Sequence, residues 1–106
     1  MLIYGLRNCD TCRKALKALP EAQLVDVRVD GLPVEVLDLA LAQFGATLLN
    51  TQSTTWRTLD AEERQRDPRA LLIDHPTLMK RPLIVVDKHL FSSWNKEVEA
   101  EIKALL

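Results

Sequence analysis

Apolar and polar residues follow one another along this chain with two different periods, and the changes of period mark out its elements. Leu2-Ile3-Tyr4 is short, apolar and β-prone, with Gly5 at a turn, and predicts a first strand over 2–5. From about 10 to 19, Ala15, Leu16, Ala18 and Leu19 recur at helical spacing among Arg13, Lys14 and Lys17, until Pro20 closes the helix. Residues 23–29 then alternate: Val25, Val27 and Val29 fall on one side, Leu24, Asp26 and Arg28 on the other. That is a strand pattern, and strand–helix–strand in so short a span predicts a βαβ unit with parallel strands and a right-handed crossover.

Asp30-Gly31-Leu32-Pro33 is turn chemistry, with Pro33 opening a helix over 34–44. Its apolar stripe is Val36, Leu37, Leu39, Ala40, Leu41 and Phe44, and Gly45 ends it. A polar middle follows, with a hydroxyl- and amide-rich loop and cap at 51–55 and a weakly helical stretch at 59–65. Asp67-Pro68 opens another short helix, with Ala70, Leu71, Leu72 and Ile73 as its apolar face. Leu83-Ile84-Val85-Val86 is the most β-prone run of the chain, and Asp87-Lys88 joins it to His89-Leu90-Phe91 as an antiparallel hairpin. A final helix over 96–106, capped from the 92–95 segment, turns Val98, Ile102 and Leu105 inward.

Composition narrows the classes. A chain of 106 residues, 47% hydrophobic and 27% charged, suits one globular domain with a core of its own. A net charge of −1 with no long basic run argues against direct nucleic-acid binding. No apolar stretch reaches membrane length, and the N-terminus lacks the pattern of a signal peptide. A reducing, cytoplasmic setting is expected.

Both cysteines of the chain lie in Arg7-Asn8-Cys9-Asp10-Thr11-Cys12-Arg13-Lys14, spaced Cys-x-x-Cys where the first strand gives way to the first helix. Unpartnered N–H groups and the helix dipole favour a thiolate there, and Arg7, Arg13 and Lys14 add positive charge. One helical turn also brings two Cα atoms to about 5–6 Å, inside the range that a disulfide accepts. Cys9 therefore reads as a nucleophile and Cys12 as its resolving partner. The competing readings are weaker. A zinc site needs two more ligands, and His75 and His89 are far downstream and singly placed. A structural disulfide would close almost no loop. The polar neighbours Asn8, Asp10 and Thr11 argue against Cys9 as a core residue.

The order βα, β, helical middle, ββα places the Cys loop beyond the carboxyl end of a parallel strand, where α/β sheets carry their sites. Pro82, opening the third strand, is expected beside it, and a cis Arg81-Pro82 bond there would expose backbone groups to an extended thiol peptide. With "NCDTCRKAL", the helical middle and "HPTLMKRPLIVV" taken together, the chain resembles the ArsC/Spx/YffB family, within a thioredoxin-like α/β fold, from Leu2 to about Ile102. The resemblance implies a single thioredoxin-like domain over 1–106, with a mixed four-stranded sheet and a helical insert at about 34–79.

It also implies roles. Cys9 matches the nucleophile of the family's arsenate reductases and Arg81 their anion-binding arginine. Cys12 matches a position that is cysteine in Spx-like members, and Arg13 the basic residue that follows it. Arg57 matches a position basic in YffB-like members. Asn8, Arg13, Arg57 and Pro82 are the candidate substrate-contacting residues. Other anion-binding arginines of the arsenate reductases are replaced here by Leu49-Asn50-Thr51 and Ser92-Ser93-Trp94, and the proline before their cysteine by Arg7-Asn8. A glutathione-dependent thiol reductase of YffB type is thus expected rather than an arsenate reductase. It would hold no bound cofactor, take glutathione as co-substrate or draw on glutaredoxin, and act on a disulfide or small oxyanion. His75 is expected at a helix end, and Trp56 and Trp94 as packing residues. The alternative is an Spx-like redox-sensing regulator that binds the RNA polymerase alpha subunit, although Spx-like chains carry a charged tail beyond the last helix.

Overall fold

A computed structural model describes all 106 residues. Four strands form one mixed sheet in the order β2-β1-β3-β4: β1 Leu2–Gly5, β2 Gln23–Asp26, β3 Leu83–Val86 and β4 His89–Ser92. β1 and β2 are parallel, β1 and β3 antiparallel, and β3 and β4 form the expected hairpin, with Asp87 at φ 52° in its two-residue turn. Helices are α1 Asp10–Ala18, α2 Val27–Asp30, α3 Val34–Phe44, α4 Thr54–Thr58, α5 Ala61–Arg64, α6 Pro68–Asp74 and α7 Lys96–Leu105. None of them is long and apolar enough to cross a membrane.

The chain divides into two compact units, residues 1–27 with 81–106, and residues 28–80. The first holds the whole sheet with α1 and α7. Its core is Ile3, Ala15, Leu19, Ala22, Ile84, Val86 and Ile102, with Leu16, Leu24, Phe91, Trp94 and Val98 packed around them. Ile3 and Ile84 are register partners, so one sheet face receives the apolar stripes of both helices. Asn95 starts α7 by accepting the Val98 N–H at 2.8 Å, which meets one of the first turn's orphan donors. Leu105, expected inward, is exposed, because α7 ends at that residue and Ile102 is its last inward position.

The second unit is helical. Leu37 and Ala40 of α3 and Leu71 and Leu72 of α6 are buried where those two helices pack, and Arg69 Nε meets Asp38 Oδ1 at 2.8 Å beside them. A 3₁₀ turn over Gly45–Leu48 follows α3, and Leu49 then bridges Met79. Ser53 caps α4, as the hydroxyl- and amide-rich 51–55 segment suggested, and Asp60 caps α5. Leu39 and Ile73, assigned to apolar faces, point outward instead: a face shared with one neighbouring helix is narrower than the full run of apolar residues.

The second strand is shorter than its pattern. β2 stops at Asp26, and Val27–Asp30 coils into a helical turn that leaves Val29 79% exposed. The reason is the ladder. β1 ends at Gly5, whose partner is Asp26, so residues beyond it have no strand to pair with and their β propensity goes unused.

Gly5 is not in a turn either. It ends β1, and a Cβ built on it would overlap Cys12 Sγ and touch Cys12 Cβ at 3.4 Å. Glycine is thus required by the close approach of α1 to the strand. Gly5→Ala is expected to lower stability by about 1–3 kcal/mol, as overpacking of a closed core does, with a lower urea midpoint at unchanged slope.

Candidate active site

The register assembles the site at one end of the sheet. Gly5 and Asp26 are paired at the carboxyl ends of β1 and β2. β3 runs the other way, with Leu83 opposite Tyr4, so Pro82 comes level with Gly5 and Arg81 with the residue that follows it. The sequence-predicted Cys9, Cys12, Arg13, Asn8, Arg81 and Pro82 all belong to this unit. The Arg81-Pro82 bond is cis, and the buried Pro82 carbonyl accepts the Ser93 N–H at 2.9 Å.

Cys9 is the N-cap residue of α1, in extended conformation, and Cys12 is the third residue of the helix. A side chain at the N-cap is the one that faces the orphan N–H groups of the first turn. The Cys9 thiol makes no capping hydrogen bond of the usual geometry, but its sulfur lies partly sheltered before the Thr11 and Cys12 amides. Partial burial works to push its pKa up. The Cys12 N–H, the Cys12 thiol, the Arg81 charge and the Thr11 N–H act in the opposite direction and together hold it below the usual thiol value. Cys12 behaves in the reverse manner. It is fully buried, and burial pushes its thiol up to about 12, with the hydrogen bond to Cys9 and the charge there adding to the rise, while the Leu6 N–H and Arg81 oppose it. The two cysteines thus differ: the surroundings favour the thiolate at Cys9 and the thiol at Cys12.

Arg13 has a structural task as well. Its Nε donates to the Arg7 carbonyl at 2.8 Å, using one of the five guanidinium donors to tie the loop to α1. Asn8 is exposed next to Cys9, as are Arg7 and Lys14. Arg57 lies in the other unit, exposed on α4. There the Arg64 guanidinium sits 5.4 Å above the Trp56 ring and donates to the Trp56 carbonyl at 3.2 Å. Trp94 packs on the core of the sheet unit. His75 ends α6, with Nε2 3.7 Å from Glu63 Oε2, in keeping with a helix-end residue.

Sequence reasoning missed Asp26. The alternation set it on the polar side of a strand, yet it is buried, with Oδ2 accepting the Arg7 N–H at 3.3 Å. The available signal was a lone carboxylate inside an apolar run, Leu24-Val25-Asp26-Val27.

A family model for the ArsC family matches residues 4–102. The chain belongs to that family. An uncharacterised protein of Haemophilus influenzae is 43% identical over 92% of this chain and 95% of its own length. The global transcriptional regulator Spx 2 of Bacillus cereus is 29% identical over 92% of this chain and 82% of its own. Among solved structures, a YffB protein superposes with a TM-score of 0.83 at 28% identity, over 94% of this chain and 96% of that one. The fold is thioredoxin-like, and family membership supports a thiol-based reductase.

Because only the thiolate alkylates, the rate at Cys9 should rise with pH and level off below the ordinary thiol range near 8.5, while Cys12 stays unmodified in the folded protein. Arg81→Gln should move that inflection upward, since it removes a charge that favours the thiolate. Iodoacetamide labelling over pH with peptide mass spectrometry checks both.

Proposed function

We propose that this protein is a glutathione-dependent thiol–disulfide reductase with Cys9 as the nucleophile. The observation that carries the reading is the pairing of a partly sheltered, thiolate-favouring Cys9 at the start of α1 with a buried, protonated Cys12 and with Arg81. Arg81 and Arg13 would hold glutathione carboxylates by charge-assisted bonds, with Asn8 and Pro82 beside the entering sulfur. In the reaction, the Cys9 thiolate attacks the glutathione sulfur of a mixed disulfide RS–SG. That S–S bond breaks, Cys9–S–SG forms, and RS⁻ leaves to take a proton from water. A second glutathione thiolate attacks the sulfur bound to Cys9, releasing GSSG and restoring the Cys9 thiolate. The sum is RS–SG + GSH → RSH + GSSG. In the other route Cys12 loses its proton and attacks Cys9–S–SG, expelling GS⁻ and leaving a Cys9–Cys12 disulfide that two glutathiones, or a glutaredoxin, then reduce.

A second reading rests on the likeness to the Spx regulator and on the shared Cys pair: a redox switch that binds RNA polymerase through its alpha subunit. Mass spectrometry after incubation with oxidised glutathione separates the two. Cys12→Ser is expected to hold one glutathione on Cys9. Wild type then shows which route operates, by closing the Cys9–Cys12 disulfide or by keeping the adduct. Should Cys9 stay unmodified in both proteins, the reductase reading fails, and a pull-down with the polymerase alpha subunit becomes the deciding measurement.

A further inference from the structure

Of the four residues between β1 and α1, the first two, Leu6 and Arg7, have no ladder partner beyond Gly5 and precede the helix, so their four backbone polar groups must be met some other way. Three of them turn toward the Cys segment. The Leu6 carbonyl accepts the Cys9 N–H at 3.2 Å, the Leu6 N–H faces the Cys12 sulfur, and the Arg7 carbonyl accepts Arg13 Nε at 2.8 Å. The fourth, the Arg7 N–H, donates at 3.3 Å to Asp26 Oδ2 on the neighbouring strand. The linker that leads into the Cys segment is thus bonded to that segment on three sides, and Asp26 bonds it to the sheet. Asp26 is 4% exposed, and a carboxylate so placed is costly unless it accepts hydrogen bonds. Its position at the carboxyl end of β2, paired with Gly5, brings it alongside the linker.

We propose that Asp26 is a positioning residue for the Cys9 nucleophile, holding the Leu6-Arg7 peptide so that the Cys9 sulfur stays before the first-turn amides of α1. This rests on the reading of Cys9 as the reactive thiol and adds to it a residue that touches no substrate. The sign of the effect sets positioning apart from charge. Removing a nearby negative charge would, by electrostatics alone, favour the thiolate and lower the Cys9 pKa. Releasing the linker would take the sulfur from its N–H donors and raise it.

The test is the pH profile of iodoacetamide alkylation at Cys9, read by peptide mass spectrometry on folded protein with Cys12 as the internal control. Asp26→Ala should move the inflection upward by about one pH unit and slow labelling near neutral pH roughly tenfold, the scale of one hydrogen bond to a charged-site scaffold. Asp26→Asn keeps a carbonyl oxygen to accept the Arg7 N–H, while its other oxygen becomes an NH₂ donor and the carboxylate's charge is gone, so its inflection should lie at or below that of wild type. Asp26→Val, apolar and suited to a strand, carries the same expectation as alanine if the smaller side chain leaves the protein unfolded. The proposal is overturned if alanine or valine leaves the profile in place or moves it down, even with a lower Tm, or if asparagine behaves as they do. If wild-type Cys9 itself titrates like an ordinary exposed thiol, the nucleophile reading falls first and the proposal with it.

Discussion

A sulfur at the amino end of α1 whose surroundings favour the thiolate is the constraint to which the rest of the sheet unit answers. Water would favour the thiol at neutral pH, so the fold has to provide what water does not: fixed N–H groups at short range and a positive charge nearby. The helix start offers the first, because its leading amides have no partner within the helix. Arg81 offers the second, and it arrives from the opposite direction of the sheet through the antiparallel run of β3. Partial burial opposes both, and the Cys12 N–H, the Cys12 thiol, Arg81 and the Thr11 N–H together outweigh it.

Packing and chemistry share atoms at Cys12. Its sulfur rests on the Cα of Gly5, so closely that no side chain fits between α1 and β1, and this contact removes it from solvent. Burial in turn keeps the thiol protonated, and a protonated Cys12 can donate to the Cys9 sulfur. The same contact therefore fixes the helix to the strand and stabilises the charge three residues away. It also makes Cys12 a slow nucleophile until something takes its proton.

Around these two cysteines, cationic side chains outnumber acidic ones on the exposed face of the loop: Arg7, Arg13 and Lys14 against Asp10. Asp26, the other nearby carboxylate, is buried beneath the loop and engaged with its backbone. The arrangement agrees with the thiol-based chemistry that membership of the ArsC family supports.

Local sequence determined a good deal. The Cys-x-x-Cys spacing at a strand-to-helix junction, the 83–92 hairpin, the caps at Ser53 and Asn95 and the stop at Gly45 are all short-range matters, and each stands in the structure as the residues imply. The proline at the head of β3 likewise marked the strand beside the Cys loop. What residue patterns could not decide is anything that depends on where another segment ends. β2 stops at Asp26, although the alternation continues to Val29, because β1 has no residue left to pair with. Gly5 is set by a sulfur seven residues ahead, not by a turn, and Asp26 by an amide that only the parallel register brings within reach. Periodicity records which faces of an element are apolar; which of those faces is covered, and by what, is settled only when strands pair and helices pack.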